Sequence, residues 1–160
     1  QGTTFTILFP AFTQPLQQDG TPVVATHPIA SGCILVIDDE KSVREVVRDI
    51  LEMNDHKVLV AQNGQIGLEV FKQHQAEIDV VLLDMQMPIM NGAETFQALR
   101  AFDPNVKVIL SSGYNEIEAT RRFVGQGLAA FLQKPYDLDA LLNKVQAILA
   151  QESVSLINSI

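Results

Sequence analysis

The chain has 160 residues, 47% of them hydrophobic and 19% charged, enough apolar mass for one ordinary globular core plus extra segments. Its formal net charge of −8 argues against non-specific nucleic-acid binding, which needs a basic surface, and suits cations or basic partner surfaces. The single cysteine, Cys33, excludes an internal disulfide and a cysteine-based zinc site, and is compatible with a reducing, cytoplasmic setting.

The first residue is Gln1, and the opening stretch lacks the charged-then-apolar plan of a signal peptide, so the sequence reads as a fragment whose true start lies elsewhere. Residues 1–12 contain a strand-like run, Thr4 to Phe9, ended by Pro10. Residues 13–32 are rich in Gln, Thr, Pro and Gly without a helical period and read as a linker. From Cys33 the pattern becomes regular. Apolar strand-like runs fall at Cys33–Ile37, Lys57–Ala61, Val80–Leu83, Val106–Leu110 and Ala129–Leu132. The longest of these is far too short to span a bilayer, so no direct membrane contact is expected.

Helix-like stretches alternate with the runs. Residues 41–53 place Val43, Val46, Val47, Ile50 and Leu51 on one face, and 137–149 do the same with Leu138, Leu141, Leu142, Val145, Ile148 and Leu149. Shorter helices are expected at 64–74, 92–102 and 115–124, the first two opened by Asn63-Gly64 and Asn91-Gly92. Residues 151–160 show no strong pattern and read as a C-terminal tail. Five strands alternating with five helices imply an α/β doubly wound parallel sheet covered on both faces, in the common order 2-1-3-4-5.

In such a sheet every strand ends at the same edge. The first strand ends in Asp38-Asp39-Glu40, the third in Asp84, the fourth in Ser111-Ser112-Gly113 and the fifth in Lys134-Pro135. Each alone has a bland reading: a helix cap, a turn, a loop. Together they place three carboxylates and one ammonium in one place. At ~5 Å and an effective dielectric of ~20, each carboxylate pair costs about 3 kcal/mol, so something must offset the repulsion. Mg²⁺ favours one or two carboxylates, waters and a phosphate oxygen. Lys134 adds a cationic wall, so a phosphoryl group beside Mg²⁺ satisfies both halves. A carboxylate so flanked can be the nucleophile of aspartyl-phosphate chemistry, with the Ser111 hydroxyl donating to a phosphoryl oxygen.

The motifs ILVIDDE (34–40), DVVLLDMQMPIMNG (79–92), VILSSGY (108–114) and FLQKPYDLDAL (131–141) resemble the receiver domain of two-component response regulators, a flavodoxin-like fold. The resemblance covers 33–150. It implies that Asp84 is the phosphoacceptor and that Asp39 ligates Mg²⁺ directly. Asp38 follows through water or as a second carboxylate, and the backbone carbonyl of Gln86 joins them. It implies that Lys134 pairs with Asp84, that Ser111 and Phe131 are switch residues, and that the Lys134–Pro135 bond is cis. Phe131 departs from the many relatives with Tyr, since its ring has no hydroxyl. The opening residues QGTTFTILFP resemble the end of the ATP-binding domain of a histidine kinase. That implies a hybrid sensor histidine kinase as parent.

The expected function is therefore phosphoryl acceptance on Asp84 with Mg²⁺. The donor is a phosphohistidine domain of the same parent or a histidine phosphotransfer protein. The fragment is without an ATP site, so its standing as an enzyme is open. The rival from another class is a receiver-like interaction module that is never phosphorylated. A related phosphatase is disfavoured because Gln86, two residues past Asp84, supplies no general acid. A flavin carrier is disfavoured because Asp38-Asp39-Glu40 repels a phosphate. His27, His56 and His74 read as solvated surface residues.

Overall fold

The computed structural model describes residues 31–113, 123 and 127–157. The expected strand at Thr4–Phe9, the linker as far as residue 30, His27 and the expected helix at 115–124, apart from Phe123, lie outside the described residues. Among these residues the elements are β1 (Cys33–Ile37), α1 (Lys41–Glu52), β2 (Lys57–Ala61), α2 (Gly64–His74), β3 (Val80–Asp84), α3 (Gly92–Phe102), β4 (Val108–Ser112), β5 (Ala130–Gln133) and α4 (Leu138–Ile157). The strands form one parallel sheet in the expected order, β2-β1-β3-β4-β5.

Side chains on a strand alternate between faces, and both faces here are apolar because both are covered. Leu35, Ile37, Val81, Leu83, Val108 and Leu110 join Phe71 of α2 and Phe96 of α3 in one core. Ile34, Val36, Val80, Leu82 and Ile109 join Val47 and Leu51 of α1 and Leu141 and Val145 of α4 in the other. The helices start where their caps say. The Asn63 side chain accepts from Ile66 N at 2.9 Å, and Asn91 and Glu94 form a reciprocal capping box. Asp137 Oδ1 accepts from Ala140 N at 2.7 Å at the head of α4.

Three expectations are corrected. β4 lies two residues beyond the run Val106–Leu110, because the ladder continues through Ser111 and Ser112, opposite Asp84 and Gln133. Apolarity stops at the first serine, but backbone pairing does not. Val46 is not a core residue: it is 57% exposed, since the apolar stripe of α1 is wider than the strip the sheet covers. α4 does not stop near 149 but continues to Ile157, into the segment read as tail.

Candidate functional site

The carboxyl edge of the sheet gathers the chemistry. Asp84 is the last residue of β3 and pairs in register with Ser111 of β4. Asp38 and Asp39 follow β1, the other neighbour of β3, and Lys134 follows β5. One carboxylate oxygen from each of Asp38, Asp39 and Asp84 lies within 4.8 Å of the others. Asp38 and Asp84 are buried and Asp39 is exposed, so the cluster opens to solvent on one side.

Lys134 Nζ donates to Asp84 Oδ1 at 2.8 Å and to Asp38 Oδ2 at 2.9 Å. Its pairing with Asp38 was not foreseen from the sequence. Asp38 is held further by Glu40 N, which donates to Oδ1 at 2.8 Å, and by Arg44 Nη1, which donates to its carbonyl at 2.6 Å. Burial alone lowers the affinity of Lys134 for its proton. Hydrogen bonds and charge from Asp84 and Asp38 outweigh that, and the ammonium is held more tightly than an ordinary lysine's. Burial pushes the Asp84 carboxyl above its usual value; the Lys134 bond and charge oppose this, and the Asp38 charge adds to it.

One ammonium against three acids leaves the pocket with excess negative charge. Hard oxygen donors clustered this closely, with one side open, fit a small divalent cation such as Mg²⁺. Gln86 is exposed in the loop that leaves β3, two residues past Asp84. Ser111 is 2% exposed, and its hydroxyl has no hydrogen-bond partner, an uncommon state for a buried polar group. Phe131 is half-buried on β5, opposite Leu110 and packed against the core. The Lys134–Pro135 peptide is cis, as the resemblance implied.

Two residues escaped the sequence reading. Tyr136, two residues past Lys134, is half-buried and packs on the core beside α1. It lines an apolar groove of about 550 Å³ with Val43, Val46, Ile50 and Leu138. His56, expected on the surface, is only 4% exposed: Gly32 N donates to its Nδ1 at 3.2 Å, and its Nε2 lies 3.3 Å from the Gln146 amide of α4. Its burial comes from the packing of α4, which no local pattern around residue 56 reports. His74 is partly exposed and sits 3.2 Å from Glu77.

The family model for the response regulator receiver domain matches residues 34–146. Sensor kinase CckA of Brucella abortus (strain 2308) is 31% identical over 160 residues, covering 95% of this chain but 17% of that protein. Sporulation initiation phosphotransferase F of Bacillus subtilis (strain 168) is 28% identical over 120 residues, 75% of this chain and 95% of that protein. Among solved structures, a response regulator receiver domain protein from Clostridium thermocellum superposes with a TM-score of 0.74 at 27% identity. It covers 77% of this chain and 98% of its own. The CheX–CheY–BeF3–Mg complex from Borrelia burgdorferi gives 0.70 at 25% identity, covering 73% and 88%. No helix among the described residues is long and apolar enough to cross a membrane.

Proposed function

The chain belongs to the response regulator receiver family, the phosphoacceptor domain of two-component systems, and on that premise we propose that Asp84 takes a phosphoryl group from a phosphohistidine nitrogen. The observation that carries this reading is Lys134: its ammonium joins Asp84 to Asp38 in a pocket that Asp39 completes. Asp38, Asp39, Asp84 and the Gln86 carbonyl would hold Mg²⁺, which, when bound, neutralises charge on the phosphoryl oxygens.

The chain's own groups do the rest. The Asp84 carboxylate attacks phosphorus; the histidine N–P bond breaks as the O–P bond forms, and the leaving nitrogen keeps the electron pair, so that the imidazole departs neutral with the proton already on its other ring nitrogen. Lys134 follows the new charge from Asp84 to the phosphoryl oxygens. The unpartnered Ser111 hydroxyl donates to one of them. As Ser111 moves, the half-buried Phe131 ring fills the space it leaves, which shifts the population between two packings.

The donor is a histidine kinase phosphohistidine domain or a histidine phosphotransfer protein. The apolar groove between α1 and the head of α4 opens beside Lys134 and offers such a partner a contact surface. A hybrid sensor kinase as parent draws support from the CckA match, which at 95% of this chain reaches well past residues 33–150. The sequence upstream of Gln1 tests that part: it should encode an ATP-binding domain and a phosphorylatable histidine.

Acetyl phosphate with Mg²⁺ should label the wild-type chain, and Asp84→Asn should take no label. Beryllofluoride should bind the wild-type chain in the presence of Mg²⁺ and not the variant. Full labelling of Asp84→Asn would remove the assignment, and no beryllofluoride binding by the wild type would favour an interaction module.

A further inference from the structure

Asp39 is the exposed member of the acidic cluster, and among the described residues nothing donates a hydrogen bond to its carboxylate. One of its oxygens nonetheless lies within 4.8 Å of an oxygen of Asp38 and one of Asp84. Repulsion among the three acids favours a swing of Asp39 into solvent. Its place is therefore set by the backbone on either side. Ahead of it, the Asp38 carbonyl accepts from Arg44 Nη1 at 2.6 Å. A peptide unit is planar, so a fixed Asp38 carbonyl also fixes the Asp39 nitrogen. Behind it, Glu40 N donates to Asp38 Oδ1 at 2.8 Å. Asp38 is itself anchored, its N–H to the Ala61 carbonyl at 3.2 Å and its Oδ2 to Lys134. The start of α1 adds little, since Glu40 at its N-cap makes no side-chain cap bond. Arg44 is half-buried one turn into that helix, and among the described residues it pairs with no carboxylate. Its guanidinium is given instead to a backbone carbonyl in the loop that carries Asp39.

We propose that Arg44 is a positioning residue for the cation site: by holding the Asp38 carbonyl it keeps the Asp38–Asp39 peptide, and with it the Asp39 carboxylate, turned toward Asp38 and Asp84. The proposal rests on the reading given above, in which these acids hold Mg²⁺. A site ordered in advance binds more tightly, because less freedom is lost on binding. The charge of Arg44 acts in the opposite direction. A guanidinium near the site repels Mg²⁺, so by charge alone the loss of Arg44 would tighten binding. Positioning and charge thus predict opposite signs. A third role, that of a plain strut for the β1–α1 loop, predicts a change in stability and none in Mg²⁺ affinity. Arg44→Met separates the three, because it keeps much of the aliphatic stem and removes the donors and the charge.

The experiment titrates the full 160-residue chain with magnesium chloride and follows the backbone amide resonances of Asp39 and Glu40. It compares wild type, Arg44→Met and Arg48→Met. Arg48 lies one turn further along α1 and its guanidinium bonds the Asp49 carboxylate, so its loss removes the same charge without touching the loop. Arg44→Met should bind Mg²⁺ ~2–10-fold more weakly, the range of one net hydrogen bond. Arg48→Met should bind it as tightly as wild type or slightly more so. Without Mg²⁺, the Glu40 amide should exchange its hydrogen faster in Arg44→Met than in wild type, because the loop is released on one side. Mg²⁺ affinity in Arg44→Met equal to or above that of wild type overturns the proposal, whatever happens to the urea midpoint. So does an equal loss of affinity in Arg48→Met. Either result leaves the receiver assignment intact if acetyl phosphate still labels the wild-type chain. A wild-type chain whose Asp39 and Glu40 resonances ignore Mg²⁺ removes both the proposal and the cation site it rests on.

Discussion

Ile89 sits in the loop between Asp84 and α3 with a φ of 71°, a left-handed backbone that a β-branched residue adopts only under strain. It is 77% exposed, so it gains little from burial in return. Replacing it by glycine removes the steric cost, of about 1–2 kcal/mol, and gives back part of it through the freer unfolded chain. Ile89→Gly should therefore stabilise the fold by up to about 1 kcal/mol, read from the urea midpoint. A lower midpoint would mean that the side chain makes a contact worth more than its strain.

The junction between β3 and α3 shows how an element holds Asp84 in place. Gly92 opens α3, and its N–H donates to the Met85 carbonyl at 3.1 Å. A methyl group on Gly92 would run into the Asp84 carbonyl and the Met85 Cα, both backbone atoms that cannot swing aside. Gly92→Ala should cost ~1–3 kcal/mol, the range for overpacking, and should also slow labelling, because the clash displaces the strand end that carries Asp84. Unchanged stability would show that the loop yields freely. This level of organisation was largely legible in the sequence. The apolar runs gave five strands, Asn63 and Asn91 marked two helix starts, and the polar strand ends pointed to Asp38, Asp39, Asp84 and Lys134, which the fold brings together. What was hidden depends on packing between distant segments. The bond from Lys134 to Asp38 joins residues 96 apart. Val46 lies outside because neighbouring elements do not reach it. The true end of β4 is set by its pairing with β3 and β5, which its own polarity obscures.

At the scale of the molecule, His56 ties the start of β1, through Gly32, to Gln146 of α4. Burial lowers its affinity for a proton below the ordinary value of 6.5, and the charge of Asp55 opposes this only in part. The unfolded chain then binds the proton more readily than the folded one. The stabilisation is complete above 6.5, declines as the pH falls from there through the folded value, and levels off below it. Asp84 acts with the opposite sign. Its raised value makes the folded state the better proton binder, so stability rises as the pH falls through that value towards 3.8. Urea midpoints of the wild-type chain should therefore fall between about pH 7 and about pH 5, and His56→Gln should flatten that slope. An identical slope in both proteins would place the acid sensitivity elsewhere.

The strand order has a consequence for a chain emerging from the ribosome. The pocket draws its acids from the first and third strands and its ammonium from beyond the fifth. Until that last strand has docked, the carboxylates face one another without their internal counterion. Under the function proposed above, the pocket therefore gains its full set of charges only with the final portion of the sheet, so a half-assembled copy would lack the ammonium that phosphoryl acceptance on Asp84 calls for.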